Sequence, residues 1–463
     1  MKDSSLFACV DCGSQSPRWM GFCPSCGSKE PLIEVYQQES RRGSWVLKQS
    51  EPLELSGIKL DDYPRIVFPD NEFNRVLGGG IVPGSVILLA GDPGVGKSTL
   101  LLQSANSLLS ATNSSGGKVF YVSGEEANSQ IRMRADRLGL SGRNLFLLDE
   151  TEIDSVFSQL ADQIVSALVI DSIQTVYCNS HPGSPGTVGQ IRETTRRLIN
   201  WAKSRMIPVL IAGHVTKDGE VAGPRILEHM VDVVLYLEGE SFGPLRILRG
   251  IKNRFGSTGE VAVFQMEEDG LKEIADPSQA LLSGRSNGQI GSAVVSVLEG
   301  TRPLLVEIQA LTVPSYSSIP RRIATGIDVN RLVMLSAVLD RRAGIQLGGQ
   351  DIIVNVVGGL KITEPAIDLG VVLAISSSVK GVPLVDEMVV MGEIGLAGEV
   401  RGVSQLGRRL EESSRLGFKS AIAGIADLSF QFSQINLSKV DNISEAIKIG
   451  MPRGNLLADL ENS

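Results

Sequence analysis

Three glycines, a lysine and two hydroxyls are packed into Gly91-Asp92-Pro93-Gly94-Val95-Gly96-Lys97-Ser98-Thr99, which fits G-x-x-x-x-G-K-[ST] in full. Glycines let a backbone wrap closely around phosphate oxygens and aim its N–H groups at them. Lys97 is expected to reach the β- and γ-phosphates of a bound nucleotide, and the Ser98 hydroxyl to hold Mg²⁺. A glycine-rich turn with a chance lysine is the bland alternative, and the flanks argue against it. Ser85–Ala90 before the loop reads as a buried parallel strand, and Thr99–Ala105 after it opens a helix whose N-terminus adds partial positive charge. Four more candidates stand at or just past the ends of later apolar runs. Ala167-Leu168-Val169-Ile170 ends in Asp171, the Walker B arrangement, with Asp171 expected near the Mg²⁺. Glu125 and Glu126 follow the strand Lys118–Ser123, and His214 closes Ile207–Gly213, where a γ-phosphate sensor would sit or where an ordinary structural histidine would do as well.

A second chemistry is written in Cys9-Val10-Asp11-Cys12 and Cys23-Pro24-Ser25-Cys26, each followed by glycine. The spacing C-x2-C-x10-C-x2-C suits four thiolates around one Zn²⁺. A redox pair is the alternative, but two pairs this close argue for metal. With four protein ligands the site would be closed to water, hence structural. Trp19 and Phe22, between the halves, are expected to pack against the knuckle; stacking on a base is the other role open to them.

The elements that must position these residues follow a domain order. Residues 1–30 form the zinc knuckle, 31–65 a linker poor in apolar residues, 66–275 an α/β core with a doubly wound, mostly parallel sheet, 276–289 a second linker, and 290–455 an α+β domain. In the last, strands are expected at Ala293–Leu298, Leu304–Val313 and Ile352–Val357, and helices at 328–342, 365–379 and 404–416. Two open loops interrupt the core, 177–189 and about 215–228, and the helix between them carries Arg192, Arg196, Arg197, Lys203 and Arg205. This is either a solvated helix face or a phosphate-contacting patch. The chain holds 463 residues, with 44 Lys and Arg against 52 acids and a net charge of −8. Such a chain is no bulk polyanion binder, so any nucleic-acid contact must use local basic patches. No apolar run reaches the roughly 18 residues of a transmembrane helix, and residues 1–20 lack a signal-peptide layout. A cytoplasmic protein without a membrane partner is expected.

The zinc motif, the phosphate loop, the pentapeptide Lys252-Asn253-Arg254-Phe255-Gly256 and the tail domain, in this order, resemble the bacterial RadA family of recombination and DNA-repair ATPases. The resemblance covers nearly the whole chain. It implies a RecA-like ATPase core, a C-terminal domain similar to the proteolytic domain of Lon, and a homo-hexameric ring associated with the nucleoid. It further implies ATP, Mg²⁺ and Zn²⁺ as cofactors, single-stranded and branched DNA as substrates, branch migration as the process, and a RecA-type recombinase as partner. Glu125 or Glu126 would polarise the attacking water, and the 177–189 and 215–228 loops would touch DNA. Arg254, helped by Lys252, is expected to reach the nucleotide of an adjacent subunit, as neither has an acidic partner nearby in sequence. Two other classes are weighed. An ATP-dependent Lon-like protease needs a serine and a lysine, but those positions fall at Ala366 and Gly407. A KaiC-like signalling ATPase leaves the zinc knuckle and the pentapeptide unexplained. The tail carries the pairs Arg321/Arg322, Arg341/Arg342 and Arg408/Arg409, which could fork onto phosphates or be ordinary solvated charge.

Overall fold

The structure is a computed structural model that describes residues 6–9, 14–16, 18–27, 29, 32–35, 54, 56, 64–69, 71–112, 116–214, 224–239, 245–317, 319–424 and 432–451. The chain divides into two compact units, Met1–Glu273 and Ile274–Ser463. Among the described residues no helix is long and apolar enough to cross a membrane.

The first unit opens with a small antiparallel sheet of β1 (Leu6–Ala8), β2 (Gln15–Ser16) and β3 (Ile33–Val35), in the order β2-β1-β3. After α1 (Asn71–Val76) the chain alternates strand and helix: β4 (Val86–Gly91), α2 (Lys97–Thr112), β5 (Lys118–Ser123), α3 (Asn128–Arg137), β6 (Leu145–Leu148), α4 (Ile153–Gln159), β7 (Val165–Asp171), α5 (Val188–Arg205), β8 (Val209–His214), α6 (Pro224–Met230) and β9 (Val233–Glu238). It finishes as a meander of β10 (Leu245–Asn253), β11 (Val261–Glu267) and β12 (Gly270–Glu273). The strands form a nine-stranded sheet in the order β12-β11-β10-β9-β4-β8-β7-β5-β6, parallel from β9 to β6 and antiparallel from β9 to β12. This is the expected doubly wound core, with β12 as an edge strand beyond the expected set.

The central strands are apolar throughout because both faces are covered. In β4, Val86, Leu88 and Ala90 join one core with Ile191, Leu198 and Trp201 of α5. Ile87 and Leu89 alternate to the other face and meet Leu101, Leu102, Ala105 and Leu108 of α2. Parallel strands with helices on both faces leave one place for a ligand, outside the strands' carboxyl ends. Gly91, Ser123, Asp171 and His214 are the last residues of β4, β5, β7 and β8.

The second unit contains α7 (Pro277–Leu281), β13 (Ser292–Glu299), β14 (Arg302–Pro314), β15 (Arg322–Thr325), α8 (Val329–Ala343), β16 (Gln350–Val356), α9 (Asp368–Lys380), β17 (Met388–Met391), β18 (Glu393–Ile394), β19 (Val400–Arg401), α10 (Leu406–Arg415), β20 (Ser420–Ala423), β21 (Asn436–Lys439) and α11 (Ile443–Gly450). Its main sheet runs β15-β16-β14-β13-β17-β20-β21, and α9 is buried along nearly its whole length. The strands and helices expected in this region coincide with β13, β14, β16, α8, α9 and α10. The 276–289 segment differs from the linker expected there. Asp276 caps α7 by accepting from the Gln279 amide at 3.0 Å, and fully buried Ser278 donates to Glu412 Oε1 at 2.7 Å. A polar, proline-containing stretch has the composition of a linker, but here it is a capped helix start.

Candidate functional site

The phosphate loop leaves β4 at Gly91 with φ 152°, where a Cβ would lie 2.4 Å from the Leu237 carbonyl oxygen. It enters α2 through Gly96 at φ 113°, where a Cβ would lie 2.7 Å from Met266 Cε. The backbone clash excludes a side chain at Gly91, and the left-handed φ disfavours one at Gly96, so the glycine spacing follows from local geometry as well as from phosphate approach. Lys97 is 4% exposed and folds back over the loop, donating to the carbonyls of Gly91 at 2.8 Å and Asp92 at 2.9 Å. Burial pulls its ammonium below the ordinary lysine range, while the charges of Asp171, Glu125 and Asp92 oppose that pull. The sequence gives no hint of Arg246, a buried guanidinium on β10 whose Nε donates to the Val95 carbonyl at 3.0 Å and so braces the loop from beneath.

Asp171 is 6% exposed and accepts from the Tyr121 hydroxyl through Oδ2 at 2.6 Å. Burial pushes its carboxyl up, against hydrogen bonds from Tyr121 and Ser98. Its other oxygen, Oδ1, is buried with no hydrogen-bond partner. A buried carboxylate oxygen without a donor, in a carboxylate that the Ser98 hydroxyl also reaches, suits a hard divalent cation with oxygen ligands. The residues present therefore fit Mg²⁺. The two adjacent glutamates are separated by their partners. Glu125 is exposed and accepts from Ser172, the residue after Asp171. Glu126 is ion-paired with Arg134 of α3. His214 aligns with Gly91 across β8 and β4; its side chain lies outside the described residues.

Of the two expected loops, residues 215–223 lie outside the described residues. The 177–189 loop is pinned by Gln190, 1% exposed, which accepts from the Cys178 amide and donates to the carbonyls of Cys178, His181 and Gly183. On α5, Arg196 pairs with Glu193, and Arg197 with Glu193 and Asp154, whereas Arg192 is exposed.

The pentapeptide packs against its own domain. Lys252 and Asn253 end β10, and Lys252 Nζ donates to the Glu228 and His229 carbonyls in the last turn of α6, at 2.7 and 3.2 Å. Arg254, about half exposed, lies 3.3 Å from Asp232 Oδ1, an acidic partner that sequence proximity did not reveal. The Phe255 carbonyl accepts from Arg65 at 2.7 Å, and Gly256 packs so closely on Gly78 that a Cβ would sit 3.0 Å from its Cα. In register, Asn253 faces Val233, which faces Ile87, whereas Gly91 faces Leu237. Four strand residues, about 13 Å, thus separate the motif's level from the chain's own phosphate loop.

In the cysteine cluster the Sγ atoms of Cys9, Cys23 and Cys26 lie within 4.8 Å of one another, with Cys9 and Cys26 at 3.7 Å. That spacing is too long for a disulfide and matches the edge, about 3.8 Å, of a tetrahedron with Zn–S bonds near 2.3 Å. The thiols fit Zn²⁺; Cys12, the fourth expected ligand, lies outside the described residues. Phe7, Met20 and Leu32 pack around Cys9 and Cys23. Trp19 and Phe22, expected against the knuckle, are instead 60% and 58% exposed.

In the second unit Ala366 is buried in a single 3₁₀ turn, Pro365–Ile367, and Gly407 lies on α10. Arg409, an expected phosphate contact, is 0% exposed and paired with Glu364, and donates to the Ser296 carbonyl at 2.6 Å. It is withdrawn from any phosphate. Arg322 is spent on the carbonyls of Gln350 and Leu347, while Arg321, Arg341, Arg342 and Arg408 remain exposed.

Comparison with known proteins adds family relations. A family model described as an AAA domain matches residues 49–220, and one described as a rubredoxin metal binding domain matches residues 7–32. The chain is 46% identical over 458 residues to the DNA repair protein RadA of Bacillus subtilis (strain 168), covering 97% of this chain and 99% of that protein. It is 44% identical to the DNA repair protein RadA of Halalkalibacterium halodurans, over 98% of this chain and all of that one. The corresponding protein of Pseudomonas aeruginosa is 43% identical over 92% of this chain and 94% of its own. Among solved structures, the RadB recombinase aligns with 25% identity and a TM-score of 0.36 over 45% of this chain and 99% of that one.

Proposed function

The chain belongs to the bacterial RadA family of DNA repair proteins, and from that premise we propose that it is a DNA-stimulated ATPase driving branch migration of recombination intermediates. The observation that carries the reading is the convergence of Lys97, Ser98, Asp171 and Glu125 at the carboxyl ends of β4, β5 and β7. Lys97 exchanges the Gly91 and Asp92 carbonyls for the β- and γ-phosphate oxygens of ATP. Ser98 and Asp171 would hold Mg²⁺, which neutralises phosphate charge when bound. Glu125, held by Ser172 and facing Lys97, orients the attacking water. Glu126, tied to Arg134, supports α3 instead.

The remaining assignments belong to the same reading. The chain works as a homo-hexameric ring beside a RecA-type recombinase in the cytoplasm, near the nucleoid. Arg254 completes the neighbouring subunit's site, which its distance from its own phosphate loop supports. The zinc knuckle is structural. The tail is a Lon-like scaffold without peptidase activity, since alanine and glycine at 366 and 407 supply neither nucleophile nor base. Single-stranded DNA reaches the ring through the 177–189 and 215–228 loops, and the exposed Arg321, Arg341, Arg342 and Arg408 take phosphates. The test is the steady-state ATPase rate with and without single-stranded DNA. Stimulation of tenfold order is expected, falling as salt rises; a rate indifferent to DNA at all salt concentrations would refute the motor.

A further inference from the structure

Asp171 is held from behind by a residue that no phosphate-loop motif contains. Tyr121 lies within β5, opposite Val169 of β7, and is 1% exposed. Its ring belongs to the core beneath α2, and its hydroxyl donates to Asp171 Oδ2 at 2.6 Å. A phenol buried in an apolar core needs a partner for its O–H, and this one has taken an oxygen of the carboxylate assigned to the cation. Asp171 Oδ1 is buried and lacks a hydrogen-bond partner. The two oxygens of one carboxylate are therefore divided between the protein and the site.

Resting on the assignment of Ser98 and Asp171 to Mg²⁺, we propose that Tyr121 is a positioning residue for the cation. By occupying Oδ2 it locks the Asp171 carboxylate so that Oδ1 alone is left for the cation's oxygen shell. Mg²⁺ demands near-ideal octahedral geometry, and a carboxylate free to rotate would satisfy it only part of the time. Partners that orient metal ligands from outside typically govern metal affinity by about 10- to 100-fold.

The test uses the full chain and a fluorescent ADP analogue, titrated with Mg²⁺ from an EDTA baseline. Tyr121→Phe should leave metal-free nucleotide affinity within about twofold and raise the Mg²⁺ concentration for half-maximal tightening by about tenfold or more. With Mn²⁺ in place of Mg²⁺, the electron paramagnetic resonance spectrum of the bound ion should broaden. Tyr121→Met, which also lacks the hydroxyl, should give the same displacement and stands in if the phenylalanine variant fails to fold. Asp171→Asn separates the two readings. If it shifts the Mg²⁺ titration and the Tyr121 variants do not, the positioning role is wrong. If it too leaves the titration unchanged, the cation assignment falls, and the Tyr121 role with it.

Discussion

Glu125 and Glu126 are adjacent, chemically identical and committed to different partners. Glu125 turns toward Ser172 and contributes to the field at Lys97, whereas Glu126 turns to Arg134. A carboxylate committed to a guanidinium of α3 is directed away from the phosphate loop, whereas one whose charge reaches Lys97 stands beside it. Glu125→Gln should therefore lower kcat by about 100-fold or more while nucleotide affinity stays near that of the parent. Glu126→Gln should change kcat by less than about fivefold and act mainly on stability through the lost Arg134 pair. Steady-state ATPase rates beside nucleotide-binding curves check both, and the reverse order of effects would transfer the role to Glu126. Sequence proximity alone could not separate the two, because both stand past the same strand end.

At the scale of elements, Arg409 stitches α10 to β13 and to the 3₁₀ turn. It donates to the Ser296 and Ser404 carbonyls and pairs with Glu364, which itself accepts from the Leu298 amide at 2.7 Å. Removing one partner of a buried pair typically costs about 3–5 kcal/mol. Glu364 is partly exposed, so Arg409→Ala should lower the second unit's unfolding free energy by up to that order, seen as a lower urea midpoint, with Arg341→Ala, on an exposed stretch of α8, changing it by less than about 0.5 kcal/mol. Equal effects in a urea titration would contradict this. In sequence both positions are arginines in pairs, and only the packing tells them apart. Much else was legible: the apolar runs of β4, β7 and β8 announce a sheet covered on both faces, and the glycine spacing fixes the loop between β4 and α2. Less legible was whatever depends on a distant partner. The Tyr121–Asp171 bond spans fifty positions and Arg246–Val95 more than that, and Asp232 meets Arg254 across a strand turn. The capped start of α7 was hidden by its loop-like composition, and the exposure of Trp19 and Phe22 by the apolar character of their rings, which ordinarily favours burial.

At the scale of the whole molecule, β10 is the element that spans the core. Near one end Arg246 braces the chain's own phosphate loop, and at the other Lys252 and Arg254 stand at the opposite end of the strands. Among the described residues the Arg254 side chain is half exposed and meets Asp232 at 3.3 Å, and buried Asp232 keeps Lys203 at 3.8 Å and the Val86 amide at 3.1 Å if Arg254 turns to a phosphate, whereas Lys252 is more fully engaged with the end of α6. If subunits close into a ring, each nucleotide meets the Lys97 of one copy and the Arg254 of the next. Arg254→Ala should then bind nucleotide normally but lose DNA-stimulated turnover, and Lys97→Ala should lose turnover through the other half of the site. Mixing the two in equal amounts creates intact interfaces wherever an Arg254→Ala subunit supplies the phosphate loop and a Lys97→Ala subunit supplies the finger. Random assembly makes each choice correct half the time, so activity should return to about a quarter of that of the parent, one half times one half. The measurement is DNA-stimulated ATPase across a mixing series, with subunit exchange followed by energy transfer between labelled copies. A maximum at equal proportions is expected; exchanged rings that stay inactive at every proportion would place Arg254 outside the neighbour's site.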